Sequence, residues 1–349
     1  MKVTLIPGDG IGPEVVGSAR TILEAAGAQL EFEEVVAGMK AEERWKTPLP
    51  AEVFDSIAGT KLALKGPTQT PFGGTYRVAI DRKDASGARI QRSHPSVTIA
   101  LRKELNLFVN VRPVKNYPGV ASRYSDIDLV IFRENTEDLY TGNERMADEN
   151  TAEAIKTITR AGTERVARFA FDYCRRLGRR RLTIGHKSNV LKLTDGLFLK
   201  TAQDMGRLYP EIQTDARVVD ALCMELVIKP QEFDGLLLPN LYGDIISDLC
   251  AGLVGGLGVA PGANIGTDCA MFEAVHGSAP DIAGQDIANP MAMILSAVMM
   301  LRYIGQGAVA DRIEQALSTV LGEGKTVTRD LGGSAGTRAM TAAIVAALR

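Results

Sequence analysis

The chain has 349 residues, of which 40 are lysine or arginine and 42 are aspartate or glutamate, giving a formal net charge of −2. This balance argues against nucleic acid or a membrane surface as the main partner. The length suits two domains, or one large domain with a full hydrophobic core. The four cysteines have no C-x-x-C pairing, which predicts buried thiols of a reducing compartment. The chain opens directly into an apolar strand and its longest apolar run is too short to span a bilayer, so we expect a cytoplasmic protein.

Apolar runs of strand length alternate with helical patterns along the chain, which predicts an α/β fold. The predicted strands are residues 3–6, 30–36, 61–64, 107–111, 127–132, 182–185, one that ends at 218–220, and 236–238. The predicted helices are residues 13–26, 99–105, 151–176, one through Asp244 and Asp248, 291–303 and 339–348.

The loop after the first strand, residues 7–14, is similar to the G-x-G-x-x-G fingerprint of dinucleotide-binding Rossmann folds. The third glycine would have to fall at Pro13, however, and Asp9 would place a carboxylate where a pyrophosphate must approach. We therefore interpret the loop as a tight turn, with Pro13 in the first turn of the following helix.

Residues 75–92 contain five basic and two acidic residues. Alternation at 76–80 and turn residues at 84–87 predict a hairpin flap, whose cationic side would lie over the mouth of a cleft. A solvated insertion is an equally good interpretation of this composition.

Three arginines, Arg102, Arg112 and Arg133, stand on or beside the ends of predicted elements. A single arginine at such a place is usually a surface ion pair. Three of them, each able to hold a carboxylate through two parallel hydrogen bonds, indicate a substrate with several carboxylates.

Asp244 and Asp248 are four residues apart, so a helix presents both carboxylates on one face. That face continues into Ala251 and Gly252 instead of further charges. A bare pair at this spacing is most often an ordinary surface pair. Carboxylates beside small residues in a largely apolar helix nevertheless suit a hard divalent cation.

These motifs together resemble the β-decarboxylating dehydrogenases, the family of isocitrate, 3-isopropylmalate, homoisocitrate and tartrate dehydrogenases. The resemblance is carried by residues 6–14, 133–140 and 240–259 and runs on to Met340. It implies a two-domain, non-Rossmann α/β fold with the active site in the cleft between the domains. Residues 1–106 and 255–349 would form a large cofactor-side domain, and residues 107–254 a small dimerisation domain with an arm around 140–180. The resemblance also implies a homodimer with shared active sites.

The resemblance assigns roles to individual residues. Asp244 and Asp248 of one subunit and Asp220 of the other would hold Mg²⁺ or Mn²⁺. Lys192 of the second subunit would be the base, and Tyr140 would protonate the product. The residues that would bind the substrate are Lys65, Ser96, Thr98, Arg102, Arg112 and Arg133. Those that would bind the cofactor, NAD, are Thr70, His276, Gly277, Ala279, Asp281, Ile282 and Asn289.

Residues 94–98 resemble the isocitrate form of the family, where a serine and an asparagine bind the extra carboxylate of the substrate. This predicts the oxidative decarboxylation of isocitrate to 2-oxoglutarate. Thr98 stands in place of the usual asparagine, and residues 75–92 form an insertion. Both departures leave 3-isopropylmalate, homoisocitrate and tartrate open as substrates. A different kind of protein, a non-catalytic regulatory subunit, would typically have lost a metal aspartate, the lysine or the tyrosine, and all of them are present here.

Overall fold

The structure, a computed structural model, describes residues 1–71, 76–83 and 87–348. Its strands are β1 (Lys2–Ile6), β2 (Glu31–Glu34), β3 (Leu62–Lys65), β4 (Val78–Lys83), β5 (Arg89–His94), β6 (Val109–Lys115), β7 (Asp128–Glu134), β8 (Glu144–Asp148), β9 (Thr151–Ala154), β10 (Arg181–His186), β11 (Gln213–Val218), β12 (Gly235–Leu238), β13 (Pro261–Ile265) and β14 (Ala270–Ala274). Its helices are α1 (Gly12–Ala25), α2 (Met39–Trp45), α3 (Ala51–Thr60), α4 (Val97–Glu104), α5 (Arg160–Leu177), α6 (Thr194–Gly206), α7 (Val219–Ile228), α8 (Asn240–Leu253), α9 (Met291–Tyr303), α10 (Gly307–Glu323) and α11 (Thr337–Ala347). Across these ranges, no helix is both long and apolar enough to cross a membrane.

One sheet of ten strands organises the molecule, in the order β11-β10-β12-β7-β6-β13-β14-β3-β1-β2. The four strands at each end of the sheet are parallel to one another, whereas β6 and β13 in the middle run antiparallel to the strands on either side of them. Short strands such as β12 are buried on both faces, as parallel strands covered by helices must be. The predicted α/β class is confirmed.

The predicted domain boundaries fall just before β6 and just after α8. The sheet continues across both places without a break, because β6 pairs with β7 on one side and with β13 on the other. The division into two domains stays a prediction.

Two apolar clusters hold the helices on the sheet. The larger contains residues of α1, α5, α6, α8, α9, α10 and α11, together with most of the strands. The smaller joins α3, α4 and the hairpin β4–β5 around residues such as Ile6, Phe54, Val78 and Leu101. Burial of large apolar side chains contributes about 1.5–3 kcal/mol each, so these clusters fix where the strand ends lie.

The loop between β1 and α1 is a packed turn, as interpreted from the sequence. Gly10 has a φ of +57°, and a Cβ there would lie 1.8 Å from the carbonyl oxygen of Ser278. Only glycine fits that approach. Asp9 is buried and accepts hydrogen bonds of 2.8 Å from the backbone N–H groups of Met39 and Gln69. Its carboxylate therefore joins three loops.

The predicted helix at 151–176 is wrong over its first part. Thr151–Ala154 forms strand β9, which pairs with β8 in an exposed antiparallel hairpin. Helix α5 begins only at Arg160, where the Thr159 hydroxyl accepts a hydrogen bond of 3.0 Å from the Gly162 N–H. Cross-strand pairing outweighs the helix propensity that Ala152, Glu153 and Ala154 give this stretch.

The predicted strand at 107–111 also needs correction, because β6 continues through Arg112 to Lys115. Pro113 is tolerated there because β13 pairs with β6 only between Val109 and Val111, so β13 does not need the missing N–H. Arg112 consequently lies within a strand and not at its end.

The segment 75–92 contains the anticipated hairpin, β4–β5. Its turn residues 84–86, like residue 75, lie outside the described residues. Val78 and Ile80 are buried in the smaller cluster. The Arg82 guanidinium lies 4.7 Å from the centre of the Phe54 ring and 3.6 Å from Glu104, so this cation is paired internally. The hairpin is anchored to α3 and α4.

Candidate active site

Two neighbouring antiparallel strands bring two of the arginines together. In the register of β6 and β7, Asn110 lies opposite Arg133, two residues from Arg112. The Arg112 guanidinium donates to the Asn110 side chain at 2.7 Å and to the Ser247 hydroxyl. Arg102 approaches from α4 and, like the other two, is buried. The structure therefore gathers three buried cations beside one helix, α8.

Helix α8 presents its small residues to these arginines. A Cβ at Gly243 would lie 2.6 Å from Cγ of Arg133, so the glycine lets this side chain lie across the first turn. Arg133 Nε donates to the Asn240 side chain at 2.9 Å. Its Nη2 is buried and has no hydrogen-bond partner within the described part of the chain. Such an orphaned donor costs free energy unless a ligand accepts from it.

Asp244 is the meeting point of the site. Its carboxylate accepts hydrogen bonds from Arg133 and from the Tyr140 hydroxyl, and lies 3.4 Å from Arg112. Burial alone would raise the pKa of Asp244, but Arg133 and Arg112 outweigh it, and the pKa is lowered. Asp248, one turn on, is 54% exposed and lies 3.4 Å from Arg112. Burial together with Asp244 keeps the pKa of Asp248 above its ordinary value.

Tyr140 belongs to a short 3₁₀ helix, Asp138–Thr141, that follows β7. The Arg133 guanidinium lies 4.7 Å from the centre of its ring. Burial raises the pKa of Tyr140, and although Arg133 opposes the shift, the hydrogen bond to Asp244 adds to it. The phenol is thus a protonated donor at neutral pH whose O–H already points at a carboxylate.

Glu273 is a site residue to which the sequence analysis assigned no role. It lies on β14, and its carboxylate accepts from Lys65 at 2.7 Å, Arg102 at 3.1 Å and Asn264 at 2.9 Å. Lys65 is only 1% exposed. Burial would raise the pKa of Glu273, but Lys65 and Arg102 lower it to about 2. A glutamate inside the apolar run Ala270–Ala274 is the signal that could have identified it.

Replacing Glu273 with glutamine should lower the free energy of unfolding at pH 7 by about 3–5 kcal/mol, because Lys65 and Arg102 lose their shared counter-charge. The folded pKa is depressed, so this stabilisation is present above the ordinary value of 4.5 and is lost as the pH falls towards about 2. Urea unfolding should show the difference between the two proteins shrinking over that window. Glu24→Gln, which removes an exposed pair with Arg20, should cost less than about 1 kcal/mol. A difference that stays constant with pH would contradict the role of the charge.

A polar cavity lies between these groups. Its volume is about 190 Å³, and its lining includes Lys65, Thr98, Arg102, Arg112 and Glu273. The Thr98 hydroxyl lies 3.5 Å from that of Thr68. Ser96 is the N-cap of α4 and accepts a hydrogen bond of 3.2 Å from the Ile99 N–H, which leaves its O–H proton available as a donor.

Lys192 and Asp220 are not brought to this cluster by the same chain. Asp220 lies in the first turn of α7, is 67% exposed and pairs with Lys187. Lys192 is exposed in the loop before α6, next to Leu193, which is 87% exposed. Exposed apolar side chains beside a charged pair are typical of a surface that a partner covers.

Within the described ranges, no three histidine, cysteine, aspartate or glutamate side chains form a group that could hold a metal ion. Asp244 and Asp248 nevertheless fit a divalent cation in the chemistry of their donors. Both supply carboxylate oxygens from successive turns, and Asp248 is half exposed. Such a pair suits Mg²⁺ or Mn²⁺, which keeps several waters and is completed by further oxygen ligands.

Most of the predicted cofactor residues lie on one loop, 276–284, which packs on the turn between β1 and α1. The Ile11 N–H donates to the Ser278 carbonyl at 2.8 Å. Burial lowers the pKa of His276, so its imidazole is neutral at pH 7. His276 and Gly277 line the polar cavity.

The other predicted cofactor residues lie on the second half of this loop, before α9 and after β3. Ala279 precedes a short 3₁₀ helix, Pro280–Ile282, in which Asp281 is exposed and Ile282 is half-buried. Asn289 is buried, donates to Asp330 at 2.9 Å and accepts from the Met291 N–H. Thr70 is half-buried in the loop after β3. Asn289 is thus already engaged at the start of α9.

Two buried arginines that line a polar cavity, and a third that shares Asp244 with one of them and with Tyr140, define a site for a small polyanion. The family model of isocitrate/isopropylmalate dehydrogenase matches residues 2–347, and the chain belongs to that family. It is 47% identical over 345 residues to isocitrate dehydrogenase (NAD) catalytic subunit 5, mitochondrial, of Arabidopsis thaliana, covering 99% of this chain and 87% of that one. It is 45% identical over 334 residues to probable isocitrate dehydrogenase (NAD) subunit alpha, mitochondrial, of Drosophila melanogaster, covering 96% and 84%. The crystal structure of isocitrate dehydrogenase from Methylococcus capsulatus aligns with a TM-score of 0.92 and 48% identity, covering 100% of this chain and 99% of that one.

These relatives confirm the resemblance read from the sequence and correct one prediction. The expected cytoplasmic location is wrong, because the Arabidopsis and Drosophila relatives are named as mitochondrial proteins. The prediction rested on the opening residues and on the absence of a long apolar run, and neither fixes a compartment. The relatives are also named as subunits, so the predicted homodimer is not confirmed by them.

Proposed function

We propose that the chain is a catalytic subunit that oxidises isocitrate with NAD and releases CO₂ to give 2-oxoglutarate. The observation that carries the proposal is that Arg102 and Arg112 line one polar cavity, while Arg112 and Arg133 both pair with Asp244. The Asp244 carboxylate also accepts from the Tyr140 hydroxyl. The relatives named as NAD isocitrate dehydrogenase subunits support the same activity.

The lining of the cavity favours a carboxylate over an alkyl group at the variable end of the substrate. Lys65, Thr98 and Asn110 line it, and its other members are mostly small or polar. The buried Nε of Arg102, which also lines the cavity, has no hydrogen-bond partner within the described residues, and an alkyl group would leave it unpaired at a cost of about 1–3 kcal/mol. This supports isocitrate over 3-isopropylmalate.

The residues divide the reaction between them. The three arginines hold the carboxylates and fix which hydrogen faces the cofactor loop at 276–284. A divalent cation on Asp244, Asp248 and Asp220 of a second copy would lower the pKa of the substrate hydroxyl and stabilise negative charge on its oxygen. Lys192 of that second copy would take the hydroxyl proton, and NAD held by the loop 276–284 would supply the acceptor for the hydride from the same carbon. Tyr140 returns a proton to carbon once CO₂ has left, which suits a phenol that is protonated at pH 7.

Initial rates with isocitrate, 3-isopropylmalate, homoisocitrate and tartrate, each with NAD and NADP, test the proposal. We expect kcat/KM for isocitrate with NAD to exceed every other combination by at least about 10²-fold, because each mismatched polar group costs a large share of the binding energy. A higher kcat/KM for another acid would contradict isocitrate as the substrate and identify that acid instead. No turnover of any of the four would favour a regulatory subunit.

We propose further that two copies form a dimer with shared active sites. Helices α7 and α8 expose Met224, Val227, Ile228 and Ile245, and the loop before α6 exposes Leu193. Several large exposed apolar side chains on neighbouring elements support a protein–protein interface there. Such a dimer would carry Lys192 and Asp220 of each copy to the Tyr140 and Asp244 of the other.

Mixing inactive Lys192→Ala and Asp244→Ala chains under subunit exchange should restore about a quarter of wild-type activity, because half of the dimers would be mixed and each would contain one intact site. The matched control mixes Lys192→Ala with Asp220→Ala. Both residues would serve the site of the other copy, so neither site of that mixed dimer is intact and no activity should return. Equal recovery in the two mixtures, or none in either with mixed dimers verified by mass, would refute the shared site.

A further inference from the structure

Lys156 makes an arrangement that the proposed reaction does not use. Its side chain is 11% exposed, and its ammonium lies 3.0 Å from Oδ1 of Asp138 and 3.2 Å from Oδ1 of Asp195. Both carboxylates are fully buried. The ammonium also lies 4.4 Å from the centre of the Tyr242 ring, within range of a cation–π contact. One cation therefore serves two buried anions and an aromatic face.

Each of these partners belongs to a segment that supplies a residue of the site. Asp138 opens the 3₁₀ helix that contains Tyr140, with a φ of +69°. Its carboxylate accepts from the Leu139 N–H at 2.9 Å and from the Leu241 N–H, in the first turn of α8, at 3.0 Å. Asp138 thereby fixes the tyrosine segment to the helix that carries Asp244.

Asp195 likewise holds a second segment of the site, the loop 187–195. It lies in the first turn of α6, and its Oδ2 accepts from the Lys187 N–H at 2.7 Å. This closes the loop 187–195, which carries Lys192. Lys156, which pairs with Asp195, also lies over the Tyr242 ring, so this loop too is linked to the first turn of α8.

We propose that Lys156 is a positioning residue, holding the segment 138–141 and the loop 187–195 in register on the first turn of α8. We call this set of contacts, Lys156 with Asp138, Asp195 and Tyr242, the tether. The tether itself rests on geometry alone, whereas its effect on catalysis rests on the proposed function. Without the cation, Asp138 and Asp195 would remain as two buried carboxylates close to each other, and the two segments would separate to let water in.

The tether has a consequence in a dimer with shared sites. Tyr140 would act in the site of its own chain, whereas Lys192 of the same chain would act in the site of the second copy. Lys156 would then connect the two sites through one side chain, so that a displacement of either segment reaches the other.

Lys156→Met keeps the length of the side chain and removes its charge. We expect kcat to fall by about 10²-fold, the usual cost of displacing a catalytic group by about 1 Å. The KM for the acid should stay within about threefold, because Arg102, Arg112 and Arg133 have anchors of their own on α4, β6 and β7. Lys156→Arg restores the positive charge and should recover at least tenfold of the loss. Lys115→Met, which removes an ion pair with Glu314 on none of these segments, is the control and should leave kcat unchanged.

Hydrogen exchange measured by mass spectrometry tests the tether independently of the reaction. Lys156→Met should raise exchange in 138–141 and in 187–195 together, with little change on β1 or α9. Asp195→Asn should lower the free energy of unfolding less when it is added to the Lys156→Met variant than when it is made alone, since both changes act through one contact. Unchanged exchange in either segment, or a rise across the whole chain, would overturn the tether. If exchange rises as expected and the wild-type chain oxidises none of the four acids, the proposed function has failed and the tether stands.

Discussion

Replacing Asp248 with asparagine should lower kcat by more than about 10²-fold, because even partners one shell removed from a metal contribute 10–100-fold. The change keeps the shape of the side chain and removes the carboxylate charge. Asp248 is 54% exposed, and its ion pair with Arg112 is long at 3.4 Å, so its charge is available to a ligand. Steady-state rates as a function of Mn²⁺, together with direct Mn²⁺ binding by electron paramagnetic resonance, measure the effect.

The free energy of unfolding of Asp248→Asn shows whether Asp248 serves as a metal ligand or stabilises the fold. The pKa of Asp248 is raised in the folded chain, so its charged form opposes folding above that pKa. Asparagine removes the charge, and the free energy of unfolding without metal should stay equal or rise. Asp204→Asn, which breaks surface pairs with Lys200 and Arg207, is the control and should retain full activity. Undiminished turnover of the wild-type chain in excess EDTA, with metal removal verified, would contradict the prediction.

Site residues that belong to a pattern of a few consecutive residues could be predicted from the sequence. Asp244 and Asp248 share a face because helical spacing dictates it, and α8 has the predicted form. Arg133 was assigned to the site, although nothing in its window shows that Gly243 lets it lie across the helix. Helix α9 was predicted at its observed bounds, since an apolar run of that length, interrupted only by Ser296 before Arg302, fits a buried helix.

The groups that hold the site together were harder to find, because their partners are distant in sequence. Glu273 and Lys65 are 208 residues apart, and no local pattern links them. Lys156 lay inside a stretch taken for a helix, where a lysine is ordinary. Its partners Asp138 and Asp195 are acidic residues on other segments, and only the fold brings them to it. Tertiary pairing decides both cases.

Cofactor choice should depend on Asp281. This carboxylate is exposed in the 3₁₀ helix Pro280–Ile282, on the loop fixed to the first turn by the Ile11–Ser278 hydrogen bond. In that position it can accept hydrogen bonds from both hydroxyls of the adenosine ribose of NAD. NADP carries a phosphate there, and juxtaposed like charges in an interface cost several kcal/mol. Because Asp281 faces solvent, salt screens part of this cost. We expect kcat/KM for NAD to exceed that for NADP by about 10²-fold, and the ratio to fall as ionic strength rises.

Asp281→Lys with Ile282→Tyr should depress kcat/KM for NAD and raise it for NADP, since the lysine supplies a cation and the tyrosine a donor to the phosphate. Ile282 packs against the larger apolar cluster, so the double variant needs its melting temperature measured alongside. Asp281→Asn keeps the packing and removes only the charge. It should raise kcat/KM for NADP by less than the double variant does. Asp268→Lys makes the same charge change in the exposed turn between β13 and β14, and should leave the ratio of the two cofactors unchanged. An unmodified chain that uses NADP as efficiently as NAD would show that Asp281 does not face the ribose.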